Sequence, residues 1–397
     1  MDIALNSHKD KKLNVRQGAA IVNGYGIGAG ILAVPYLANR VGIWLSLLIL
    51  ILCYGLIYVL HLMIADLAIK TGKGSQMLDI FKKYIIKGKA KKFVSVLIFI
   101  FMFVVLTSNL CAYVTGAAEV LASNVPQVPL VAWKVIFYVF AGALALFGLK
   151  ILGYAEQGAT IAIFLSVGAL IIGSILNIKN PLNLMPDSVH NVFSFFGIAM
   201  FAFSAFFCIP HVADGLQGDR KKIRQSIALG MLFNMTIIIF VMIFAVLASV
   251  GLNGEDVCTN AWAAGIGDWA KVVGCIFTVL AMFSTYWSVS FALRDVLKNS
   301  LNIDVRLCWL IATVPSLALS MIPFTHFTTF IDLASATTAL LIGGFVIPAF
   351  HIARKENNND NILGKFGCLA TEIIIGIAMF AMVSGSVMNI INTITGT

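Results

Sequence analysis

The segment Asn23–Pro35 reads Asn-Gly-Tyr-Gly-Ile-Gly-Ala-Gly-Ile-Leu-Ala-Val-Pro, and it lies inside the first long hydrophobic stretch of the chain. The alternating glycines of Gly24–Gly30 each destabilise a helix interior by about 1 kcal/mol relative to alanine. Pro35 frees one more backbone carbonyl. Glycine also permits close helix packing in membranes. This alternation removes side chains from every face of a helix, which is more than close packing on one face requires. We therefore favour a helix that unwinds at Gly26–Gly30 over a continuous helix whose glycines serve packing.

The composition around this segment is that of a membrane protein. Of 397 residues, 60% are hydrophobic and 11% are charged, whereas soluble domains carry about 25% charged residues. Apolar runs of about 18 residues or more recur along the chain, which is enough to cross a bilayer. Their lack of alternation favours helices over a β-barrel. We therefore predict an all-α polytopic membrane protein surrounded by lipid.

The hydrophobic runs predict eleven transmembrane helices in a single transporter domain, residues 1–397. These spans are Arg16–Asn39, Ile43–Ile69, Phe93–Ala122, Val131–Phe147, Ile151–Leu176, Val192–Gly215, Ser226–Val250, Trp269–Leu297, Val305–Ile322, Phe327–Ala353 and Lys365–Ile391.

The loop charges predict the orientation of these spans. The formal net charge is +9, and we attribute it to the excess of basic residues in cytoplasmic loops rather than to nucleic-acid binding. With a cytoplasmic N-terminus, the basic residues all fall inside except Arg40, Lys134, Lys179 and Lys271. We expect a plasma membrane or bacterial cytoplasmic membrane location and a monomer. The basic segment Gln76–Ile86 predicts either a short interfacial helix or a plain loop.

The order of the spans predicts an inverted repeat. Residues 16–176 hold the first five spans and residues 192–353 the next five, and 365–391 is an extra eleventh helix. Because five is odd, the second set enters the membrane in the opposite direction. Its first helix, span six, contains Pro210 behind the small residues Ser204 and Ala205, so we predict a second break there.

Two half-helices that meet in mid-membrane offer both signs of partial charge. The half beginning near Gly30 offers N–H groups that suit a carboxylate, and the half ending near Tyr25 offers carbonyls that suit a cation. This arrangement predicts a zwitterionic ligand such as a neutral amino acid. The predicted substrate-binding residues are Tyr25, Gly26, Ile27, Gly28, Ala29, Gly30, Phe201, Phe203, Ser204 and Ala205. Phe206 could add an apolar wall, and further polar candidates are Asn23, Asn109, Tyr113, Thr337 and Thr338.

Three segments resemble a known family. Gly28–Pro35 is similar to the first-helix motif of the amino acid–polyamine–organocation superfamily. Phe201–Pro210, the basic loop Asp219–Arg224 and the tenth-span segment Leu341–Pro348 resemble its amino acid/auxin permease branch. The resemblance implies the LeuT-type fold and ion-coupled import of amino acids by alternating access.

The resemblance also implies a coupling-ion site. Ala281, Ser284 and Thr285 on span eight resemble the sodium site of LeuT-type carriers, whose partner carbonyls correspond to Gly24 and Ile27. Positions i, i+3 and i+4 share one helix face, and oxygen-only ligation suits a hard cation. Ordinary hydroxyl bonding within the helix is the alternative interpretation.

The choice between sodium and protons depends on other residues. Some proton-coupled relatives place a lysine on span five, but Ala159–Ser166 contains none, which favours sodium. Proton coupling stays open because Asp332 and Glu372 lie within spans, where carboxylates are commonly functional. We expect Asp332 at a gate and Glu372 in a structural role, while Glu156 could pair with Lys150.

Three other classes of protein compete with a transporter. An enzyme would need converging catalytic or metal-binding residues, but the six histidines are scattered along the chain. A channel would more often carry a filter loop or rings of charge. A non-transporting amino acid sensor on the same fold remains an alternative. We expect no cofactor other than Na⁺ or H⁺ as the coupling ion.

Overall fold

The structure, a computed structural model, describes residues 12–144, 146, 149–252, 257–322, 327–357 and 360–395. The described residues form fifteen α-helices and contain no strand. They are α1 (Val15–Gly26), α2 (Ala29–Val41), α3 (Ile43–Thr71), α4 (Met77–Tyr84), α5 (Lys91–Asn124), α6 (Leu130–Leu144), α7 (Leu149–Leu176), α8 (Val189–Ala202), α9 (Ile209–Gly215), α10 (Arg220–Ala248), α11 (Cys258–Ile266), α12 (Asp268–Leu301), α13 (Val305–Ser320), α14 (Phe327–Glu356) and α15 (Leu369–Thr395).

Most of the predicted spans correspond to helices that are long and apolar enough to cross a bilayer. Eight segments of the described chain pass on length and composition, and the bent pair α1–α2 makes a ninth. The predicted fourth and ninth spans are the shorter apolar helices α6 and α13. Phe147, the end of the predicted fourth span, lies outside the described residues. The count of eleven and the inverted repeat therefore stay predictions.

Two of the spans are interrupted. The first divides into α1 and α2, whose axes differ by 57°. The sixth divides into α8 and α9, which are joined by Phe203–Ala205 and a single 3₁₀ turn, Phe206–Cys208. Both breaks fall where the sequence predicts them, although the first is shorter than predicted. Only Ile27 and Gly28 separate α1 from α2, so Ala29 and Gly30 belong to the first turn of α2.

The interrupted spans lie at the centre of the bundle. In the segment Val189–Gly215, 83% of the most apolar stretch is buried, against 33% for α7 and for α15. The first half, α1, packs against α10, α7 and α12, and the second half, α2, packs against α8 and α10. Gly230 of α10 lets that helix approach α1 closely, because a Cβ there would contact the Ala19 carbonyl and Val22. The extra helix α15 packs on α14 and α8.

The basic segment Gln76–Ile86 contains the short helix α4. Its apolar residues are buried against protein, because α4 packs on α14, α3 and α5. The rings of Phe81 and Phe345 lie 5.3 Å apart at this contact. Of the two alternatives that the sequence left open, the structure has the helix, and its apolar face covers other helices rather than lying in the bilayer interface.

Candidate functional site

The break in the first span is short and ends in an uncapped helix start. The Ile27 N–H donates to the Asn23 carbonyl at 2.8 Å and closes α1. At Gly28, where α2 begins, no side chain in the described chain caps the helix. Because the first N–H groups of a helix lack intrahelical acceptors, the start of α2 is suited to an anionic group. The side chain of Ala29 lies outside the described part of the chain.

The glycines of this break permit close contact with three other helices. A Cβ on Gly30 would lie 2.8 Å from the Cα of Ala202, the last residue of α8. A Cβ on Gly28 would lie 2.7 Å from the Thr285 hydroxyl oxygen on α12. A Cβ on Gly26 would clash with Nδ2 of the Asn234 side-chain amide on α10. The two breaks are therefore in direct contact, and each glycine has its own neighbour.

The break in the sixth span is held by hydrogen bonds from neighbouring helices. The Ala205 N–H donates to Nε2 of His61 on α3 at 3.0 Å. The Ala202 carbonyl accepts from Nδ2 of Asn234 at 2.8 Å. Within the break, the Ser204 hydroxyl donates to the Phe201 carbonyl at 2.7 Å. These partners replace hydrogen bonds that a continuous helix would supply, so the opened backbone stays satisfied in the apolar interior.

His61 was not singled out by the sequence. Its ring is fully buried and packs edge-on against Phe206, with centroids 5.3 Å apart. Since Nε2 accepts from the Ala205 N–H, the ring proton belongs on Nδ1, which lies 3.2 Å from the Met231 sulfur. A histidine in the middle of an apolar span was the available signal, because such residues seldom occur in membranes without a polar partner.

The predicted aromatic residues divide into two groups. Tyr25 and Phe201 are only 6% and 7% exposed, and the Tyr25 hydroxyl interacts electrostatically with Tyr113 and Cys208. Phe203 instead packs its ring on Tyr54 of α3, with centroids 6.1 Å apart. Tyr25 therefore lies near polar groups at the breaks, while Phe203 packs against α3.

The further polar candidates lie on three helices, α1, α5 and α14. The Tyr113 hydroxyl donates to Asn109 on the same helix at 3.3 Å. Thr337 donates to the Leu333 carbonyl of its own helix at 2.6 Å, and the neighbouring Thr338 hydroxyl is buried without a partner among the described residues. Thr338 is thus the one of the two threonines whose hydroxyl is available.

Three of the five predicted sodium ligands converge. The Thr285 hydroxyl oxygen lies 3.0 Å from the Gly24 carbonyl oxygen and 3.0 Å from that of Ala281. Ile27 is fully buried beside the break. The Ser284 hydroxyl oxygen also lies against Gly24, and it donates its hydrogen bond to the Glu156 carboxylate.

The pairing predicted for Glu156 is wrong. Lys150 is exposed at the start of α7, whereas the Glu156 carboxylate is fully buried against α12. One carboxylate oxygen accepts from Ser284, and the other accepts from Ser288 at 2.8 Å. A Cβ on Gly24 would strike this carboxylate, so Glu156 lies directly against the end of α1. No sequence pattern connects Glu156 with span eight, because that contact exists only in the folded bundle.

The other intramembrane carboxylates lie elsewhere. Asp332 accepts a hydrogen bond from Asn389 of α15 at 3.2 Å, so it faces the extra helix. Glu372 contacts His351 at 2.7 Å and Arg354 at 3.0 Å, which suits the structural role expected for it. A cavity of about 730 Å³ opens by the loop at Asn180–Met185 and is lined by residues outside both breaks. Residues of the two breaks, among them Ile27, Ala202 and Phe203, are buried inside the protein.

Two buried helix breaks in contact at the centre of a helical bundle are the architecture of the LeuT-type fold. Solved structures share this architecture. Mhp1, a nucleobase-cation-symport-1 family transporter in a closed conformation with bromovinylhydantoin, matches with a TM-score of 0.67 at 13% identity, covering 96% of this chain and 92% of that chain. MhsT in complex with L-phenylalanine matches with a TM-score of 0.66 at 16% identity, covering 93% and 98%. A manganese transporter of Eremococcus coleocola gives 0.64 at 14% identity, covering 96% and 87%.

The chain belongs to the tryptophan/tyrosine permease family, whose sequence profile matches residues 11–389. It is 25% identical over 301 residues to glutamine transporter 2 of Aliivibrio fischeri, covering 72% of this chain and 75% of that protein. The family and these relatives are transporters and not enzymes. The finer placement in the amino acid/auxin permease branch stays a prediction.

Proposed function

We propose that this protein is a secondary active transporter that imports a neutral amino acid by alternating access, coupled to sodium. The observation that carries the proposal is the contact between the two helix breaks, where Gly30 of the uncapped α2 start meets Ala202 at the end of α8. That start offers N–H groups to a carboxylate, while the carbonyls at the end of α1 suit a cation. Discontinuous helices of this kind mark substrate sites in secondary transporters.

The substrate class follows from the related proteins and from the predicted contacts. Tryptophan and tyrosine in the family description, glutamine in the relative and phenylalanine in the structural neighbour are all neutral amino acids. The predicted substrate residues Tyr25, Phe201 and Ser204 contribute an apolar wall and a hydroxyl but no ionised side chain. Neutral side chains are therefore favoured over acidic or basic ones.

Sodium is proposed as the coupling ion, and its ligands would be oxygens. Gly24, Ala281 and Thr285 already bring three oxygens together, and Ile27 lies beside them. Oxygen ligands without sulfur or imidazole suit a hard cation. Proton coupling is the second candidate, because Glu156 supplies a buried carboxyl group at the same place. We further propose a cytoplasmic N-terminus and a plasma or bacterial cytoplasmic membrane.

The test is uptake by the purified full-length protein in sealed vesicles. Tryptophan, tyrosine, phenylalanine and glutamine would be compared with glutamate and arginine, while sodium and pH gradients are imposed separately. We expect uptake of at least one neutral amino acid that accelerates with an inward sodium gradient. Uptake driven only by an inward proton gradient would indicate that protons, and not sodium, are the coupling ion. Absence of gradient-driven uptake for the whole panel would contradict the transport proposal.

A further inference from the structure

The Glu156 carboxylate joins the break in the first span to α12. Its two oxygens accept hydrogen bonds from Ser284 and Ser288, which lie one turn apart on α12. The oxygen that accepts from Ser284 also lies against Gly24, where any side chain would collide with it. The carboxylate therefore occupies the space between the end of α1 and the helix that carries Thr285.

The Glu156 carboxyl group has two hydroxyl partners and no basic partner in the part of the chain that the structure describes. Among the described residues, no lysine, arginine or histidine forms an ion pair with Glu156, and its hydrogen-bond partners are the two serine hydroxyls. The side chain is fully buried. Burying an ionised carboxylate without a counter-charge is strongly unfavourable. A cation held next to it would remove this penalty.

The atoms beside Glu156 are arranged to receive such a cation. The Thr285 hydroxyl lies 3.0 Å from both the Gly24 and the Ala281 carbonyl oxygens, so three oxygens lie together beside the carboxyl group. Asn23 adds a fully buried side-chain oxygen without a partner among the described residues. Its amide nitrogen is held at 3.0 Å by Thr160, four residues after Glu156 and on the same helix face.

We propose that Glu156 is the charged ligand of the coupling-cation site, with Ser284 and Ser288 as the residues that position its carboxylate. In this arrangement Glu156 takes the place that Ser284 held in the sequence-based set, beside Gly24, Ala281 and Thr285. The proposed cation is sodium, a hard monovalent ion. The inference rests on the proposed transport function and deepens its ion site.

The decisive experiment measures binding of ²²Na⁺ to the purified full-length protein by scintillation proximity, in the absence of substrate. The variant is Glu156→Gln, which keeps the shape of the side chain and removes its charge. Asp66→Asn is the matched control, since Asp66 is a fully buried carboxyl group on α3 that pairs with Lys70. We expect Glu156→Gln to weaken sodium binding by at least about tenfold, since altering even the outer partners of metal ligands costs about 10–100-fold, and Asp66→Asn to leave it unchanged.

Two further measurements separate loss of the ion site from loss of folding. Sodium, compared with choline, should raise the melting temperature of the wild type and of Asp66→Asn but not that of Glu156→Gln, since a ligand stabilises only the state that binds it. Ser288→Ala, which removes one donor and keeps the carboxylate, should weaken sodium binding by a smaller factor. Glu156→Asp should retain more binding than Glu156→Gln if charge is what matters.

The outcomes are distinct from those of the transport test. Unchanged ²²Na⁺ affinity in Glu156→Gln overturns the ligand role even if amino acid uptake is intact. Absence of saturable ²²Na⁺ binding in the wild type also overturns it and leaves proton-driven uptake possible. Sodium binding that depends on Glu156, in a protein that transports none of the tested amino acids, supports the ion site and contradicts the proposed transport function.

Discussion

The two interrupted spans meet each other, yet they are broken for different reasons. The first carries its break in its own sequence, because Gly26, Gly28 and Gly30 lower helix stability and admit three neighbours at close range. The sixth has no glycine between Phe201 and Pro210. Its open backbone is instead satisfied by His61 of α3 and Asn234 of α10.

This difference shows two ways of stabilising non-helical backbone inside a membrane. Where glycines interrupt the helix, the neighbouring helices fill the space left by the missing side chains. Where residues with side chains leave the helical conformation, other helices must supply hydrogen-bond partners, since unsatisfied backbone groups are costly in an apolar interior. Substitutions at the first break should therefore act through sterics, and those at the second through lost hydrogen bonds.

The largest effect is expected from Gly30→Ala. The added methyl group would lie 2.8 Å from the Cα of Ala202, and backbone cannot move aside as a side chain can. Overpacking of this kind typically costs about 1–3 kcal/mol, and here it pushes the two breaks apart, so amino acid uptake in vesicles should be lost. Gly158→Ala on α7 is the control, because no heavy atom of the described chain lies within 4 Å of a Cβ built there. Wild-type uptake by Gly30→Ala would refute the steric account of the first break.

The next effect is expected from His61→Leu. The Ala205 N–H would lose its acceptor, and an unsatisfied buried donor costs about 1–3 kcal/mol. A lower melting temperature and an uptake rate reduced by about tenfold or more should follow, since 1.4 kcal/mol corresponds to a factor of ten. His61→Gln keeps an acceptor on a side chain of similar reach and should recover most of both quantities. If leucine and glutamine behave alike, the hydrogen bond is not what holds the second break.

A smaller loss of stability is expected from substitutions at Asn234 and Gly26. Asn234 contacts both breaks, so the effects of the two substitutions should be coupled. Asn234→Ala removes the hydrogen bond to Ala202, worth about 1 kcal/mol, and Gly26→Ala alone collides with the Asn234 amide. The double variant relieves that collision, so its loss of stability should fall short of the sum of the single losses by about 0.5–3 kcal/mol. The measurement is a double-mutant cycle on melting temperature. Strict additivity would show that the two breaks are independent.

The smallest effect is expected from Pro210→Ala. Pro210 lies in the first turn of α9, where proline is well tolerated because an N–H at this position would have no acceptor within the helix. Replacement should change the free energy of unfolding by at most about 1 kcal/mol and leave uptake close to that of the wild type. Complete loss of uptake would mean that proline, rather than His61 and Asn234, maintains the second break.

Part of the site could be predicted from the sequence because its cause is local. The glycine alternation placed the first break within one turn of its position, and the hydrophobic runs placed the helices that cross the membrane. The i, i+3 and i+4 spacing put Ala281 and Thr285 on one face of α12, and Thr285 does meet the Gly24 carbonyl. These are properties of a single helix and its periodicity.

The contacts between distant helices could not be predicted in this way. Nothing near Glu156 in the sequence indicates Ser284 or Ser288, which lie more than a hundred residues away and reach it only when α7 packs on α12. The same holds for His61 and Ala205, 144 positions apart. The sequence of this protein by itself determined a helical membrane bundle whose first span breaks at its glycines, because helix propensity and hydrophobicity act locally. Only the tertiary structure decided which buried polar groups meet, because each must find its partner on whichever helix packs beside it.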